Sequence, residues 1–161
     1  MENNQNRPLV QRAAKGWTLQ SGGGSGGKQD WVKITHGSVV IDFRTSTAGA
    51  AIAGYGVQNP NQQPSELEPV HEVHRFFKEH LQAEDSSYEE ETPDFVRTGF
   101  GSSRLSVFTS GGFFGKRYGY RLTALGSNDQ WTGNAYCSSQ RKFDQYRDLL
   151  RKVMLSVGPG K

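Results

Sequence analysis

Two histidines in the middle of the chain have a spacing that suits metal binding. His71 and His74 are three residues apart and have glutamates beside them. Residues three apart share a face of a helix, so both imidazoles could reach one ion, and imidazole is a common zinc ligand. The neighbouring Val70 and Val73 belong to an apolar stripe, which places the histidines beside that stripe, facing solvent. His71 and His74 are therefore the candidate metal ligands, and a solvated polar surface is the alternative.

The stretch from Phe113 to Arg121 interleaves aromatic and basic side chains. Its candidate partner-binding residues are Arg117, Tyr118, Tyr120 and Arg121. On the surface of a sheet such rings stack on bases while the cations hold phosphates, as in proteins that bind single-stranded nucleic acid. The alternative is that the two tyrosines pack on one face of a strand while the two arginines point outward.

A glycine-rich segment imitates a nucleotide-binding fingerprint. Gly22, Gly24 and Gly27 satisfy the spacing G-x-G-x-x-G. In that motif a helix must follow, because its N-terminal N–H groups bind the pyrophosphate. Here the segment is followed by Trp31-Val-Lys-Ile, which is typical of a strand. We therefore expect no nucleotide site.

Catalytic residues are not evident in the sequence. Cys137 is the only cysteine, so an intrachain disulfide is excluded, and a nucleophilic role would require a base beside it. The carboxylates concentrate between Glu84 and Glu91, which we expect to be a mobile loop. The chain is therefore predicted to bind a partner and not to be an enzyme.

Length and charge indicate one domain with a charge dipole. The 161 residues suit a single domain, and no apolar run has the length, about 20 residues, of a membrane span. Residues Glu66 to Asp94 include two basic and ten acidic residues, whereas Phe95 to Lys161 include eleven basic and three acidic. Met1 to Arg12 lack a signal-like hydrophobic stretch, so the protein is either not exported or has lost a targeting segment.

The first half of the chain is predicted to form an arm followed by strands. Residues 1–14 are polar and are predicted to form a flexible N-terminal arm, and residues 15–161 are predicted to form a single domain. Apolar and polar residues alternate at Trp17–Gln20, which indicates a short extended segment. Strands at Trp31–Thr35 and Ser38–Arg44 form a hairpin, and Ala50–Val57 is a further candidate strand.

Two helices stand out by their apolar periodicity. For the first, Ser65 is the expected N-cap, Glu68 completes a capping box, and the helix ends near Gln82. For the second, Ser139 is the expected N-cap, and Gly158 with Pro159 ends the helix. Their predicted buried positions are Leu67, Val70, Val73, Phe77 and Leu81 in the first helix, and Phe143, Tyr146, Leu150, Val153 and Val157 in the second.

Between these helices the sequence predicts four more strands, at Phe95–Thr98, Arg104–Ser110, Arg117–Leu125 and Gln130–Cys137. Several strands with one central and one terminal helix favour an α+β fold, in which an antiparallel β-sheet is flanked by helices.

The C-terminal part of the chain contains a distinctive series of motifs. Tyr120-Arg-Leu-Thr-Ala124 is followed by the turn Ser127-Asn-Asp-Gln130, Trp131 and a helix ending Val153-Met-Leu-Ser-Val157. This series resembles the PsbP family of extrinsic photosystem proteins, in which a Tyr-x-Leu-x-Ala strand precedes a turn, a tryptophan and a final helix with a similar ending. Lys15-Gly16-Trp17 resembles the early Pro-x-Gly-Trp region, although Lys15 replaces the proline.

The resemblance implies a PsbP-like α/β/α sandwich and a non-enzymatic role. It implies an extrinsic or assembly subunit that docks on a photosystem complex in the chloroplast thylakoid lumen, as do the proteins of the oxygen-evolving complex. It further implies a monomer before docking, peripheral to the membrane, with no cofactor, although calcium or another divalent ion is possible. Trp17, Trp131 and Phe143 would then be core residues.

Two other classes of function stay open from the sequence. The first is a single-stranded nucleic-acid-binding protein that uses the basic and aromatic strand around Tyr120. The second is a Mog-like regulator that binds a small GTPase, since the Mog family shares the PsbP-like fold. This second possibility rests on fold analogy, and would use the acidic helix and loop.

Overall fold

The computed structural model describes residues 16–22, 31–46, 68–112, 115–125 and 130–158. The predicted arm and the candidate strand at Ala50–Val57 lie outside these ranges. The described residues form eight strands and two helices. In chain order they are β1 (Thr18–Gly22), β2 (Trp31–His36), β3 (Val39–Ser46), α1 (Pro69–Glu84), β4 (Glu89–Glu90), β5 (Asp94–Thr98), β6 (Gly101–Ser110), β7 (Arg117–Leu125), β8 (Gln130–Cys137) and α2 (Gln140–Leu155).

The strands make one antiparallel sheet with the order β1-β2-β3-β8-β7-β6-β4, and β5 also pairs with β6. The pairing of β3 with β8 joins the N-terminal hairpin to the strands that follow α1. Long-range pairing of this kind produces one sheet, and so one hydrophobic core, from both halves of the chain. The predicted α+β class with an antiparallel sheet is confirmed.

The two helices cover opposite faces of this sheet. In β7, Tyr120 contacts Phe143 of α2, with ring centroids 5.2 Å apart. The next residue, Arg121, donates a hydrogen bond from Nη2 to the carbonyl oxygen of His74 in α1, at 2.7 Å. Successive side chains of a strand point to opposite faces, so α1 and α2 lie on either side of the sheet. Among the described residues, neither helix combines the length and the hydropathy needed to cross a bilayer.

The face under α2 holds the apolar core. Phe143, Leu150 and Met154 of α2 are fully buried against the sheet. Burying each such side chain contributes about 1.5–3 kcal/mol. Ser139 caps the helix by accepting a hydrogen bond from the Lys142 N–H at 3.2 Å, as predicted. The sheet contributes Val39, Ile41, Phe43, Leu105, Tyr120, Leu122, Ala135 and Cys137 to this core.

The start of α1 differs from the prediction. Ser65 was expected as the N-cap, but the helix begins at Pro69, and Glu68 is the N-cap residue without a side-chain cap. Glu68 has extended backbone angles (φ −63°, ψ 134°). A residue before proline is driven out of the helical region, while proline itself suits the first helical position. The proline therefore sets the boundary, and the expected capping box was wrong.

Gly119 lies at a close approach between β7 and β8. A Cβ atom added there would collide with the carbonyl oxygen of Ala135 and would lie 2.7 Å from the Tyr136 Cα. Both obstacles are backbone atoms, so relief requires the two strands to separate. We expect Gly119→Ala to lower the free energy of unfolding by about 1–3 kcal/mol, as overpacking does in cores.

Urea unfolding followed by circular dichroism measures the effect of Gly119→Ala. Gly111→Ala is the matched control, because its added Cβ would meet only Ser87 atoms at 3.7 and 3.8 Å. Equal stability of the two variants would show that β7 and β8 are not this close.

Candidate functional site

A buried ion pair lies between the sheet and α1. The side chains of Arg121 (β7) and Glu90 (β4) are each 1% exposed. Arg121 donates from Nε to Glu90 Oε2 and from Nη2 to Glu90 Oε1, both at 2.8 Å. This two-point geometry is the strongest form of an arginine–carboxylate contact. The pair therefore fixes β4 to β7 across the width of β6.

His74 of α1 completes this network. Its Nδ1 lies 2.7 Å from Thr123 Oγ1, and its Nε2 lies 2.7 Å from Ser106 Oγ and 3.2 Å from Glu90 Oε1. Thr123 accepts a hydrogen bond from Arg121 Nη1 at 3.4 Å, which leaves its hydroxyl proton for His74 Nδ1. Nε2 then carries the ring proton. Burial lowers the pKa of His74 to about 4, although hydrogen bonding to Glu90 raises it, so the ring is neutral at pH 7.

Glu90 is ionised in this environment. Burial by itself raises the pKa of a carboxyl group, but hydrogen bonds from His74 and Arg121 outweigh burial and hold the pKa of Glu90 well below its ordinary value. The Tyr88 hydroxyl also donates to Glu90 Oε2 at 2.6 Å. Burial in turn raises the pKa of Tyr88, which therefore keeps its proton. Each partner of the carboxylate thus donates a hydrogen bond to it.

The network contains a serine, a histidine and a glutamate but lacks the geometry of a hydrolytic triad. In a triad the carboxylate holds Nδ1 while the serine lies at Nε2. Here Glu90 and Ser106 share Nε2, and Thr123 occupies Nδ1. Ser106 is also only 1% exposed. Cys137 is buried in the opposite face of the sheet, where burial raises the pKa of its thiol. These groups therefore hold the fold together.

The structure places the two predicted metal ligands differently. His74 is 2% exposed, so the expectation that it faces solvent was wrong. The reason is that the sheet face beneath α1 is polar and offers the imidazole hydrogen-bonding partners. His71 is partly exposed, and its Nδ1 accepts a hydrogen bond from Arg104 Nε at 3.1 Å. Among the described residues, no three histidine, cysteine or acidic side chains lie close enough to hold a metal. Metal binding at His71 and His74 stays a prediction.

The four candidate partner-binding residues do not share one surface. Arg121 is buried, so the expectation that it points outward was wrong. Tyr120 is buried on the α2 face, and its hydroxyl accepts from Arg147 Nε at 3.1 Å. Tyr118 is partly buried on that same face, and Arg117 is exposed on the other. A binding role for this set stays a prediction. Of the four residues, Arg117 and Tyr118 have surface that a partner could reach.

The acidic segment after α1 is ordered, contrary to the expected mobile loop. Asp85 Oδ1 accepts from the Ser87 N–H at 2.9 Å, and Asp85 Oδ2 accepts from the Ser110 hydroxyl at 2.6 Å. Tyr88 is buried and stacks on Phe108, with centroids 5.5 Å apart and planes at 17°. Sequence reasoning missed Glu90 as an interior residue, because its partner Arg121 lies 31 residues away.

A pocket of about 450 Å³ opens where α1 ends above the sheet. It is bordered by the β6–β7 connection, the end of α1 and the exposed side of β3 and β8. Its aromatic lining residues are Tyr88, Phe108 and Tyr136. Its charged or amide lining residues are Asp42, Glu84, Asp85, Arg117 and Asn134.

Charge in this pocket is predominantly negative. Three carboxylates line it, and Arg117 is the cation among the described lining residues. The guanidinium carbon of Arg117 lies 4.8 Å from the centroid of the Tyr136 ring. Hydrogen bonds from Ser110 and Ser87 lower the pKa of Asp85, which is therefore ionised at neutral pH. The arrangement can hold a polar ligand by charge, hydrogen bonds and ring contacts.

Comparison with known proteins identifies the fold. No family model matches the chain, and no curated protein matches it. Among solved structures, the solution structure of cyanobacterial PsbP (CyanoP) from Synechocystis sp. PCC 6803 matches with a TM-score of 0.52. The match covers 88% of this chain and 80% of that chain, at 9% sequence identity. The resemblance expected from the sequence is confirmed in the architecture, and the protein has a PsbP-like fold.

Proposed function

We propose that this protein is a non-enzymatic extrinsic or assembly subunit that docks on the lumenal side of a photosystem. The observation that carries the proposal is the match to cyanobacterial PsbP over 88% of the chain. In this proposal the protein lies in the thylakoid lumen of a chloroplast, peripheral to the membrane, and is a monomer before docking. Calcium or another divalent ion stays a possible ligand in the docked state.

The distribution of charge supports docking by electrostatic attraction. α2 has five basic and two acidic residues on one side of the sheet. On the other side, α1 leads into the acidic segment from Asp85 to Glu91. A surface divided in this way orients a protein in the field of a charged partner and raises the rate of productive encounter. Either face can meet a complementary surface on a large complex.

Comigration with a native complex tests this function. Membranes from the source cells are solubilised in mild detergent and separated on a native gradient, and the protein is followed by mass spectrometry. We expect it to migrate with a photosystem. We also expect it to dissociate at about 1 M salt, where the Debye length falls to about 3 Å. Integral subunits, which stay in the complex at that salt, are the internal control.

Recovery solely in fractions that contain no photosystem would contradict the docking function. The nucleic-acid alternative has less support than the sequence suggested, because Tyr120 and Arg121 are buried. The Mog-like GTPase-binding alternative rests on fold analogy alone. Comigration with RNA or with a small GTPase in the same experiment would favour one of these instead.

A further inference from the structure

We propose that the pocket at the end of α1 binds a basic side chain, arginine or lysine, presented by a partner protein. The proposal adds one specific contact to the proposed docking function. It rests on that function only for the identity of the partner. The pocket is lined by residues from β3, the end of α1, the segment after it, β6, the β6–β7 connection, β7 and β8.

The charge of the pocket favours a cationic ligand. Asp42 comes from β3, Glu84 from the last turn of α1, and Asp85 from the residue that follows. The lining residues alone have a formal charge of −2, from three carboxylates and the Arg117 guanidinium. Arg44, outside the lining, pairs with Asp42 at 3.3 Å, so the charge around the pocket is −1 and stays negative. Such a site attracts a cation and repels an anion. A phosphate or carboxylate ligand is therefore disfavoured.

An aromatic ring in the pocket already accepts a cation. The guanidinium of Arg117 lies over the Tyr136 ring, 4.8 Å from its centroid. Tyr88 and Phe108 also line the pocket, but they are 7% and 5% exposed and stack on each other, so Tyr136 is the lining ring shown in contact with a cation. Aromatic faces attract ammonium and guanidinium groups, and guanidinium also stacks on them. The carboxylates can bind the charged end of an arginine or lysine side chain, while an aromatic ring packs against its hydrocarbon stem.

The buried network holds part of the pocket in place. Tyr88 lines the pocket, yet its hydroxyl donates to Glu90, which is itself held by Arg121. Phe108 stacks on Tyr88. Asp85 is fixed by hydrogen bonds from Ser87 and Ser110. A site whose residues are already positioned loses less conformational entropy when a ligand binds. The buried polar network therefore positions the pocket residues as well as stabilising the fold.

Titration of the full chain with blocked amino acids tests the pocket. The probes are N-acetyl-argininamide, N-acetyl-lysinamide and the anionic N-acetyl-glutamate amide, followed by amide chemical shifts in NMR spectra. We expect the two cationic probes to shift Gly112, Gly115 and Asn134, which line the pocket. The anionic probe should leave these amides unchanged. Shifts caused equally by the anionic probe, or confined to another surface, would overturn the proposal.

A charge-matched pair of variants separates the pocket from general electrostatics. Asp42→Asn/Glu84→Gln should weaken binding of the cationic probes by about three- to tenfold, as loss of two partly exposed ion pairs does. Glu79→Gln/Asp148→Asn makes the same change in net charge at exposed residues of α1 and α2 that do not line the pocket. It should bind nearly as the natural protein does. Equal affinities of the two variants would overturn the proposal.

The same variants distinguish failure of the pocket from failure of the docking function. If the natural protein and Asp42→Asn/Glu84→Gln comigrate equally with a photosystem, docking stands and the pocket is not its contact. If neither comigrates but the natural protein binds the cationic probes, the pocket stands and the photosystem is the wrong partner. Loss of comigration in the pocket variant alone supports both.

Discussion

Replacing Arg121 with methionine is expected to lower the free energy of unfolding by about 3–5 kcal/mol, the usual effect of breaking a buried ion pair. The Glu90 carboxylate would keep its place in the interior, 1% exposed, but lose both hydrogen bonds from the guanidinium. The carbonyl of His74 would lose a donor as well. Urea unfolding followed by circular dichroism measures the change.

Two further variants identify the cause of the Arg121→Met effect. Arg117→Met removes the same charge from the exposed end of the same strand together with a cation–π contact to Tyr136, and should alter stability by about 1 kcal/mol or less. Arg121→Met/Glu90→Leu removes both charges, so it should be more stable than Arg121→Met alone. If Arg121→Met is as stable as Arg117→Met, the pair is not buried as described.

The protein is expected to lose about 3 kcal/mol of stability as the pH falls from 6.5 to 4. Burial lowers the pKa of His74 from 6.5 to about 4 in the folded protein. In this window the unfolded chain binds a proton on His74 that the folded protein does not, so acid favours unfolding. Each unit of pKa difference corresponds to about 1.4 kcal/mol. Glu90, whose pKa is also lowered on folding, adds a further loss at lower pH, below the ordinary carboxylate range.

Stability measured by urea unfolding at a series of pH values tests this expectation. His74→Gln should flatten the dependence between pH 6.5 and 4, because the titrating group is gone. His80→Gln is the matched control, since His80 lies on the same helix with 57% of its side chain exposed. It should leave the slope unchanged. An equal slope in the natural protein and His74→Gln would rule out His74 as the titrating group.

The two faces of the sheet are filled by different chemistry. Under α2 the contacts are apolar, and they carry the hydrophobic contribution to stability. Under α1 the sheet presents Arg104, Ser106, Arg121 and Thr123, all buried, and α1 presents His74 to them. Hydrogen-bonded interiors of this kind tolerate little shift in register, because a displaced strand leaves buried polar groups without partners. The polar face therefore fixes the position of α1, and with it the geometry of the pocket.

Local sequence patterns determined the elements whose signals lie within a few residues of each other. The bounds of β7 and β8 were predicted correctly, as were the Ser139 cap and the burial of Phe143 and Leu150 in α2. Alternation and helical periodicity are read along the chain, and so need no knowledge of distant partners. The PsbP-like fold was expected from such patterns in the C-terminal strand and helix.

Tertiary structure decided the polar interior and the pocket. Nothing near Glu90 in the sequence distinguishes it from Glu89 and Glu91, and Arg121 looks no less solvated than Arg117. His74, Glu90 and Arg121 become interior residues because α1, β4 and β7 bring them together over separations of up to 47 residues. A charged side chain can be buried only where its partner is also present. Sequence determines which groups carry charge, whereas only the assembled fold determines which of those charges meet.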